Sequence, residues 1–236
     1  MSKVRIVTDS TADIPLDLVE RLQITVVPAY VQIGGNSYPD SPRPGGLSRE
    51  EFYALLPTMP VVPTTSVPPI NEFASAYQRL AQETDEVIAI VVSSNLSSMH
   101  SVARLGAEDV PGLTVHIVDS GQVTMGLGWM VIAAAEAAQA GQSARDILHL
   151  IESIKPRVHV FAALDTLEYL RRSGRVGWAR AKVAQILRIK PILEVLLGKV
   201  KELGQIRTQR RAIEQLTELT RALGPVSYTH LTLPTN

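Results

Sequence analysis

Hydrophobic positions follow two patterns along this chain: short continuous apolar runs, and longer segments with helical spacing. Runs rich in Val and Ile at residues 4–7, 87–92 and 115–118 predict strands, and the longest of these would be buried on both faces. Elsewhere apolar residues recur every three or four positions, as at Phe73 and Tyr77, which predicts amphipathic helices. This alternation predicts an α/β fold with a mostly parallel sheet flanked by helices.

Capping residues and helix breakers predict where the helices begin and end. Ser48 and Glu51 have the spacing of a capping box, which predicts a helix over residues 49–56. Ser66 is predicted to be the N-cap of the following helix, with Pro68 in its first turn. The remaining predicted elements are helices over residues 15–22, 97–108, 125–140 and 144–154, an extended segment over 24–33 and a loop over 37–46.

The pattern changes after residue 156. The predicted elements there are a strand over residues 158–162, a hairpin of residues 192–195 and 199–203 around Gly198, and a helix over 208–223. We therefore predict an N-terminal α/β domain over residues 1–156 and a second α/β domain over residues 157–224. Residues 225–236 do not continue the preceding helix and resemble a translated sequencing adapter. They are predicted to be a non-native tail, and the second domain is predicted to be truncated at its C-terminus.

Composition argues against several classes of protein. The chain has 23 basic and 23 acidic residues and only 5% aromatic residues, which disfavours a nucleic-acid binder. It has no cysteine, so disulfides, thiolate chemistry and cysteine metal sites are excluded. The apolar run at the N-terminus is too short for the core of a signal peptide, so we expect a cytoplasmic protein.

Hydroxyl-bearing residues follow several predicted strands. They lie in residues 8–11, 93–94 and 119–120, and residues 64–66 precede a predicted helix. Each segment alone has the composition of an ordinary cap or turn. In a parallel sheet, however, ligands bind beyond the carboxyl ends of the strands, so their convergence favours a ligand site.

The ligand of such a site is predicted to be an anion. Hydroxyl groups and helix N-termini both suit negative charge. Pro68 and Pro69 have no amide hydrogen, so two of the backbone donors that a phosphate cradle needs are missing. Their absence favours a small carboxylate as the ligand.

An enzyme is the main alternative from these residues. His100 would be the base for Ser94 or Ser97, and Asp9 with Asp119 would hold a magnesium ion for a phosphate substrate. A serine or metal-assisted hydrolase or phosphotransferase would result. Recognised catalytic motifs are missing from the sequence. The glycine pair at residues 126–128, for example, lacks the third glycine of a dinucleotide fingerprint. We therefore predict no catalytic residue and no metal site.

A basic stretch covers residues 171–190, with seven Lys or Arg side chains and no acidic residue. Its charge alone fits a solvated face and a docking surface for an acidic partner equally well. Transient contact with an anionic membrane is a third interpretation. A ligand-free interaction module that uses this face is the second alternative function.

Seven short segments, in order along the chain, match the motifs of one family. They are Ile6–Pro15, Thr65–Pro68, Ser93–Ser97, Val118–Ser120, Met125–Gly128, Leu167–Arg175 and Ile189–Leu193. Each segment alone is weak evidence, but the ordered set is specific and extends over residues 4–223. On these segments the chain resembles the DegV family of fatty-acid-binding proteins, the lipid-carrying subunit of bacterial fatty acid kinase.

The resemblance implies that one long-chain fatty acid lies in an apolar tunnel between the two domains. Its carboxylate would be held by the Thr65–Ser66 pair and by Ser94, with Ser93 as the second choice for that serine. The fatty acid would be the only bound small molecule, and no cofactor is expected.

The resemblance also implies a protein partner. A separate ATP-dependent kinase subunit would phosphorylate the presented carboxylate, and the acyl-phosphate would feed phospholipid synthesis. The chain would then not be an enzyme by itself. Arg175, together with Arg171 and Arg172, would dock that subunit.

The chain departs from the family pattern in three places. Pro69 stands where the family has serine, and Ser98-Met99-His100 replaces the usual Gly-Thr-Tyr. The family's late histidine and its Gly-Pro-Gly motif are absent from this sequence. Because that histidine helps to hold the carboxylate, the resemblance predicts weaker lipid binding in this chain.

Overall fold

The computed structural model describes residues 4–42, 45–108, 110–181 and 189–226. Its strands are β1 (Arg5–Asp9), β2 (Thr25–Val27), β3 (Tyr30–Ile33), β4 (Asn36–Pro39), β5 (Thr64–Ser66), β6 (Glu86–Val91), β7 (Thr114–Asp119), β8 (Val160–Ala163), β9 (Lys190–Leu196) and β10 (Lys199–Ile206). Its helices are α1 (Leu16–Arg21), α2 (Arg49–Leu55), α3 (Ile70–Leu80), α4 (Met99–Ala107), α5 (Thr124–Gln139), α6 (Ala144–Ile154), α7 (Glu168–Ser173), α8 (Gly177–Ala181) and α9 (Gln209–Ala222).

A four-stranded parallel sheet in the order β2-β1-β6-β7 forms the centre of the larger core. Residues 87–91 of β6 have no exposed surface. Because successive side chains point to opposite faces of a sheet, this burial means that both faces are covered. Helices α3 and α4 pack together, as do α5 and α6, and they supply the cover. The prediction of a parallel sheet flanked by helices is confirmed.

Two glycines let α5 pack closely against its surroundings. A Cβ atom at Gly126 would lie 2.5 Å from Cγ2 of Val160, and one at Gly128 would lie 2.5 Å from the carbonyl oxygen of Ala12. Both distances are far below van der Waals contact, so these positions require glycine. The glycine pair therefore serves helix packing.

A second sheet, antiparallel and in the order β4-β3-β5, was not predicted. The prediction that Ser66 caps a helix is wrong, because Ser66 ends β5 and pairs with Tyr30 of β3. Helix α3 begins only at Ile70, after Pro69. Part of the predicted loop over residues 37–46 is the short strand β4.

The third sheet is antiparallel, in the order β10-β9-β8, and α9 packs against it. Its small core contains Ile192, Ile206 and Ala212. The predicted hairpin around Gly198 is confirmed, with Leu197 and Gly198 as its two-residue loop. The domain boundary at residues 156–157 and the non-native tail stay predictions, and residues 227–236 lie outside the described residues.

Within the described ranges, every helix is too short or too polar to span a bilayer.

Candidate functional site

The hydroxyl-rich segments after β1, β6 and β7 meet at one edge of the central sheet, as predicted. A carboxylate oxygen of Asp9 accepts a hydrogen bond from the amide of Val92 at 2.8 Å. The amide of Ser94 donates to Asp119 at 3.2 Å. The amide of Ser93 donates to the carbonyl of Gln122 at 2.9 Å. These contacts tie the ends of the three strands into one surface.

Asp9 is a structural residue of this edge. It is fully buried, and its Oδ1 accepts hydrogen bonds from the amide and the hydroxyl of Thr11 at 3.0 and 2.5 Å. Burial raises the pKa of Asp9, and the hydrogen bonds from Thr11 and Val92 oppose that rise. Because both oxygens are engaged by the chain itself, Asp9 is not placed to bind an external ligand.

Asp119 organises the segment that carries Ser94. It accepts hydrogen bonds from the Ser94 hydroxyl and from the amide of Gly121, the latter at 2.9 Å. Burial alone would raise the pKa of the Asp119 carboxyl, but these hydrogen bonds and the charge of Lys155 lower it below its ordinary value. Asp119 is therefore a carboxylate near neutral pH, and it holds the hydroxyl proton of Ser94.

The two adjacent serines differ in accessibility. Ser94 is exposed, whereas Ser93 has no exposed surface. The hydroxyl of Ser93 accepts from the amide of Asn95 at 3.3 Å. A Cβ atom at Gly198 would lie only 2.7 Å from that hydroxyl, so the β9–β10 loop covers Ser93. Of this pair, Ser94 is the serine that an external ligand can reach.

Thr65 and Ser66 lie on β5, and both are exposed. The hydroxyl of Ser66 accepts a hydrogen bond from the side-chain amide of Gln32 at 2.9 Å. Across the described ranges, no hydrogen bond joins Thr65 or Ser66 to Ser93 or Ser94. The exposed candidate donors therefore form two groups with no direct hydrogen bond between them, one on β5 and one beyond β6.

The three arginines of α7 and its C-terminal side have different partners. Arg171 contacts Glu168 at 2.9 Å, and Arg172 also pairs with Glu168. Hydrogen bonds from both arginines lower the pKa of Glu168. Arg175 instead donates to the carbonyl of Ser173 at 2.7 Å and to that of Thr65 at 3.4 Å.

The basic stretch is therefore less positive than its composition suggests. Besides the two arginines held by Glu168, Lys190 pairs with Asp165. Lys182 and Arg188 lie outside the described residues, and the side chain of Arg180 is likewise not described. Arg175 is the exposed arginine that links this stretch to the Thr65 backbone.

An open groove of about 450 Å³ lies beside α7. This volume falls within the range of roughly 300–1,000 Å³ that small-molecule sites occupy. The sequence gives no signal for this groove, because only Ser173 of its lining falls within the basic stretch of residues 171–190. The residues that line it are Leu164, Asp165, Thr166, Tyr169, Leu170 and Ser173.

The enzyme alternative gains no support from this geometry. His100 makes no hydrogen bond to Ser94 or Ser97 in the described part of the chain, and the Ser94 proton is directed to Asp119. His116 and His159 instead lie 3.3 and 2.8 Å from the carboxylates of Glu86 and Glu194. No group of three or more potential metal ligands occurs among the described residues.

Relatives match the chain over most of its length. The model of the family described as "Uncharacterised protein, DegV family" matches residues 3–229. A DegV domain-containing protein of Deinococcus radiodurans is 38% identical over 218 residues, which cover 92% of this chain and 76% of that protein. Protein DegV of Bacillus subtilis is 33% identical over 217 residues, with coverage of 92% and 76%.

Solved structures show the same fold. A DegV family protein from Thermus thermophilus, described as fatty acid binding, superimposes with a TM-score of 0.84 at 35% identity and covers 94% of this chain and 78% of that chain. DegV from Bacillus subtilis, described as a fatty acid binding protein, gives a TM-score of 0.83 at 31% identity with coverage of 94% and 78%. The chain therefore belongs to the DegV family.

Proposed function

We propose that this chain binds one long-chain fatty acid and presents the lipid carboxylate to a separate ATP-dependent kinase subunit. The observation that carries the lipid-binding part of the proposal is the likeness, over 94% of the chain, to a DegV protein that is described as fatty acid binding and is 35% identical. The kinase role rests on the family resemblance. As the family resemblance implies, the proposed position of the lipid is an apolar tunnel between the two domains, with its carboxylate at the hydroxyl-rich edge.

The carboxylate is held by neutral hydroxyl donors. Thr65, Ser66 and Ser94 are all exposed on the chain, and the lipid headgroup joins the two groups that they form. To donate to the lipid, the Ser94 hydroxyl turns away from Asp119, its partner in the structure. Ser93 supports the adjacent backbone from its buried position.

The acyl chain supplies most of the affinity. About 14 methylene groups at ~0.8 kcal/mol each give a gross gain of roughly 11 kcal/mol. Loss of translational freedom and ordering of side chains offset about 4 kcal/mol or more of that gain. Each hydroxyl contact to a charged carboxylate contributes about 1.5–3 kcal/mol before desolvation. The hydroxyls therefore determine mainly where the headgroup lies.

The chemistry belongs to the partner. A carboxylate oxygen attacks the γ-phosphorus of ATP on the kinase subunit, the bond to the β-phosphate oxygen breaks, and ADP leaves. Arg175 docks that subunit in this proposal, and its contact with the carbonyl of Thr65, a residue assigned to the headgroup, supports that role. Arg171 and Arg172 contribute less, since Glu168 already pairs with both. The chain needs no cofactor for this role.

The setting of the reaction follows from its chemistry. ATP and a kinase subunit place the protein in the cytoplasm, and loading with lipid involves transient contact with a membrane. Nucleic acid has no part in this role.

Native mass spectrometry of the purified chain, followed by denaturation and lipid extraction, tests the proposal. One fatty acid per chain is the expected result, with acyl-phosphate formed only when kinase subunit and ATP are added. Hydrolysis or phosphoryl transfer by the chain alone would favour the enzyme alternative. A chain that neither carries nor takes up fatty acid would refute the proposal.

A further inference from the structure

The loop between β9 and β10 reaches from the third sheet to the candidate site. Its two residues are Leu197 and Gly198. The amide of Gly198 donates to the carbonyl of Gly121 at 2.6 Å, and both glycines are buried. Gly121 in turn donates its own amide to Asp119, the partner of the Ser94 hydroxyl. The hairpin tip is thus one residue away from the carboxylate that holds Ser94.

This contact is made through closely approaching backbones. A Cβ atom at Gly198 would lie 2.6 Å from Nδ2 of Asn95, and one at Gly121 would lie 3.2 Å from Cα of Leu197. Gly198 and Gly121 also have φ angles of +74° and +62°, which favour glycine. The position of Leu197 relative to the Ser93–Asn95 segment is therefore well determined.

Leu197 combines two features that are unfavourable for stability. Its φ angle is +48°, in the left-handed region that leucine rarely occupies. The residue is also 47% exposed, although leucine is large and apolar. A two-residue hairpin loop with positive φ at both positions normally carries Asn-Gly. Backbone strain of this kind is concentrated at binding sites, and a side chain this exposed gains little from packing to offset it.

We propose that Leu197 is a lipid contact, which the third sheet brings to the carboxyl edge of the central sheet. Its side chain covers the first methylene groups of the acyl chain, next to the headgroup held by Ser94. A fatty acid has an anionic end followed at once by an apolar chain, and an exposed leucine beside exposed hydroxyls matches that order. This assignment rests on the proposed function and adds a residue that determines lipid retention.

The assignment predicts opposite changes in stability and in binding for one substitution. Leu197→Asn restores the residue that the turn favours, so the lipid-free protein should unfold about 2–4 °C higher. The same substitution removes an apolar contact, so release of radiolabelled palmitate to excess albumin should become roughly three- to tenfold faster. Leu197→Met keeps the apolar contact and should release palmitate at the rate of the unchanged protein.

Leu203→Asn is the matched control. Leu203 is 38% exposed on β10 of the same hairpin. It lies roughly 15 Å along the strand from the tip. Its substitution should leave palmitate release unchanged.

The outcomes separate this inference from the proposed function. If the unchanged protein retains palmitate and Leu197→Asn releases it at the same rate, the contact is refuted and lipid binding stands. Equal acceleration by Leu203→Asn, or a lower unfolding temperature for Leu197→Asn, would also refute the contact. If the unchanged protein takes up no palmitate, the proposed function and this inference both fail.

Discussion

Replacing Gly198 by alanine tests the docking of the hairpin on the candidate site. The new methyl group would lie 2.6 Å from Nδ2 of Asn95 and 2.7 Å from Oγ of Ser93. Asn95 is exposed, so its side chain can rotate away from the new methyl group, whereas Ser93 is fully buried and has no such freedom. The crowding therefore falls mainly on Ser93, and the hairpin tip must shift away from that residue.

The cost of Gly198→Ala has two parts. A left-handed φ costs an L-residue about 1–2 kcal/mol. Crowding against a closely packed neighbour costs a further 1–3 kcal/mol or so. The free energy of unfolding should therefore fall by about 2–5 kcal/mol, the sum of these two ranges.

Gly112→Ala measures the first part alone, so the difference between the two variants gives the second part. Gly112 has a φ of +80°, close to the +74° of Gly198, but no atom lies within 4 Å of the position that a Cβ atom would occupy there. In this control the free energy of unfolding should fall only by the cost of the left-handed φ, about 1–2 kcal/mol. Urea unfolding of the two variants and the unchanged protein measures both losses. Equal losses in the two variants would refute the conclusion that the hairpin docks closely on Ser93 and Asn95.

Three further predictions concern the headgroup, the partner and pH. Thr65→Ala should lower acyl-phosphate formation with the kinase subunit more than it lowers lipid retention, because the acyl chain provides most of the affinity; equal losses in the two assays would contradict its role at the headgroup. Arg175→Ala should lower acyl-phosphate formation about tenfold or more while retention stays unchanged, since a desolvated charged contact at an interface is worth about 2 kcal/mol or more; unchanged formation at limiting kinase subunit would exclude docking through this residue. The folded-state pKa of Asp119 is lowered, so its contribution to stability is present above the ordinary value of 3.8 and is lost as pH falls through the folded pKa. Asp119→Asn should therefore reduce the acid-induced loss of stability in thermal unfolding, and an unchanged pH profile would show that the Ser94–Asp119 contact does not contribute.

Local sequence determined much of the fold. The capping box of Ser48 and Glu51 forms as predicted, because both of its hydrogen bonds lie within one helical turn. The helix predicted over residues 144–154 matches α6, where Ser143 caps the first turn. The apolar run of β6 is a buried strand, because a continuous run of β-branched residues has no polar face to expose.

Where local preferences were balanced, tertiary contacts decided the structure. Ser66 has the chemistry of a helix cap, yet pairing with Tyr30 across β3 and β5 places it in a strand. Strand β4 is half exposed and partly polar, so its sequence shows little hydrophobic pattern. Its pairing with β3 therefore could not be predicted from the sequence.

At the candidate site, Ser93 and Ser94 show most clearly what the sequence determines and what the tertiary structure decides. The sequence alone determined that hydroxyls follow the strands, and the parallel order of β1, β6 and β7 brings those strand ends together. It could not determine which hydroxyl is open, because Ser93 is covered by Gly198, a residue that is distant along the chain. Accessibility is a property of packing between separate elements, so only the tertiary structure distinguishes the buried serine from its exposed neighbour.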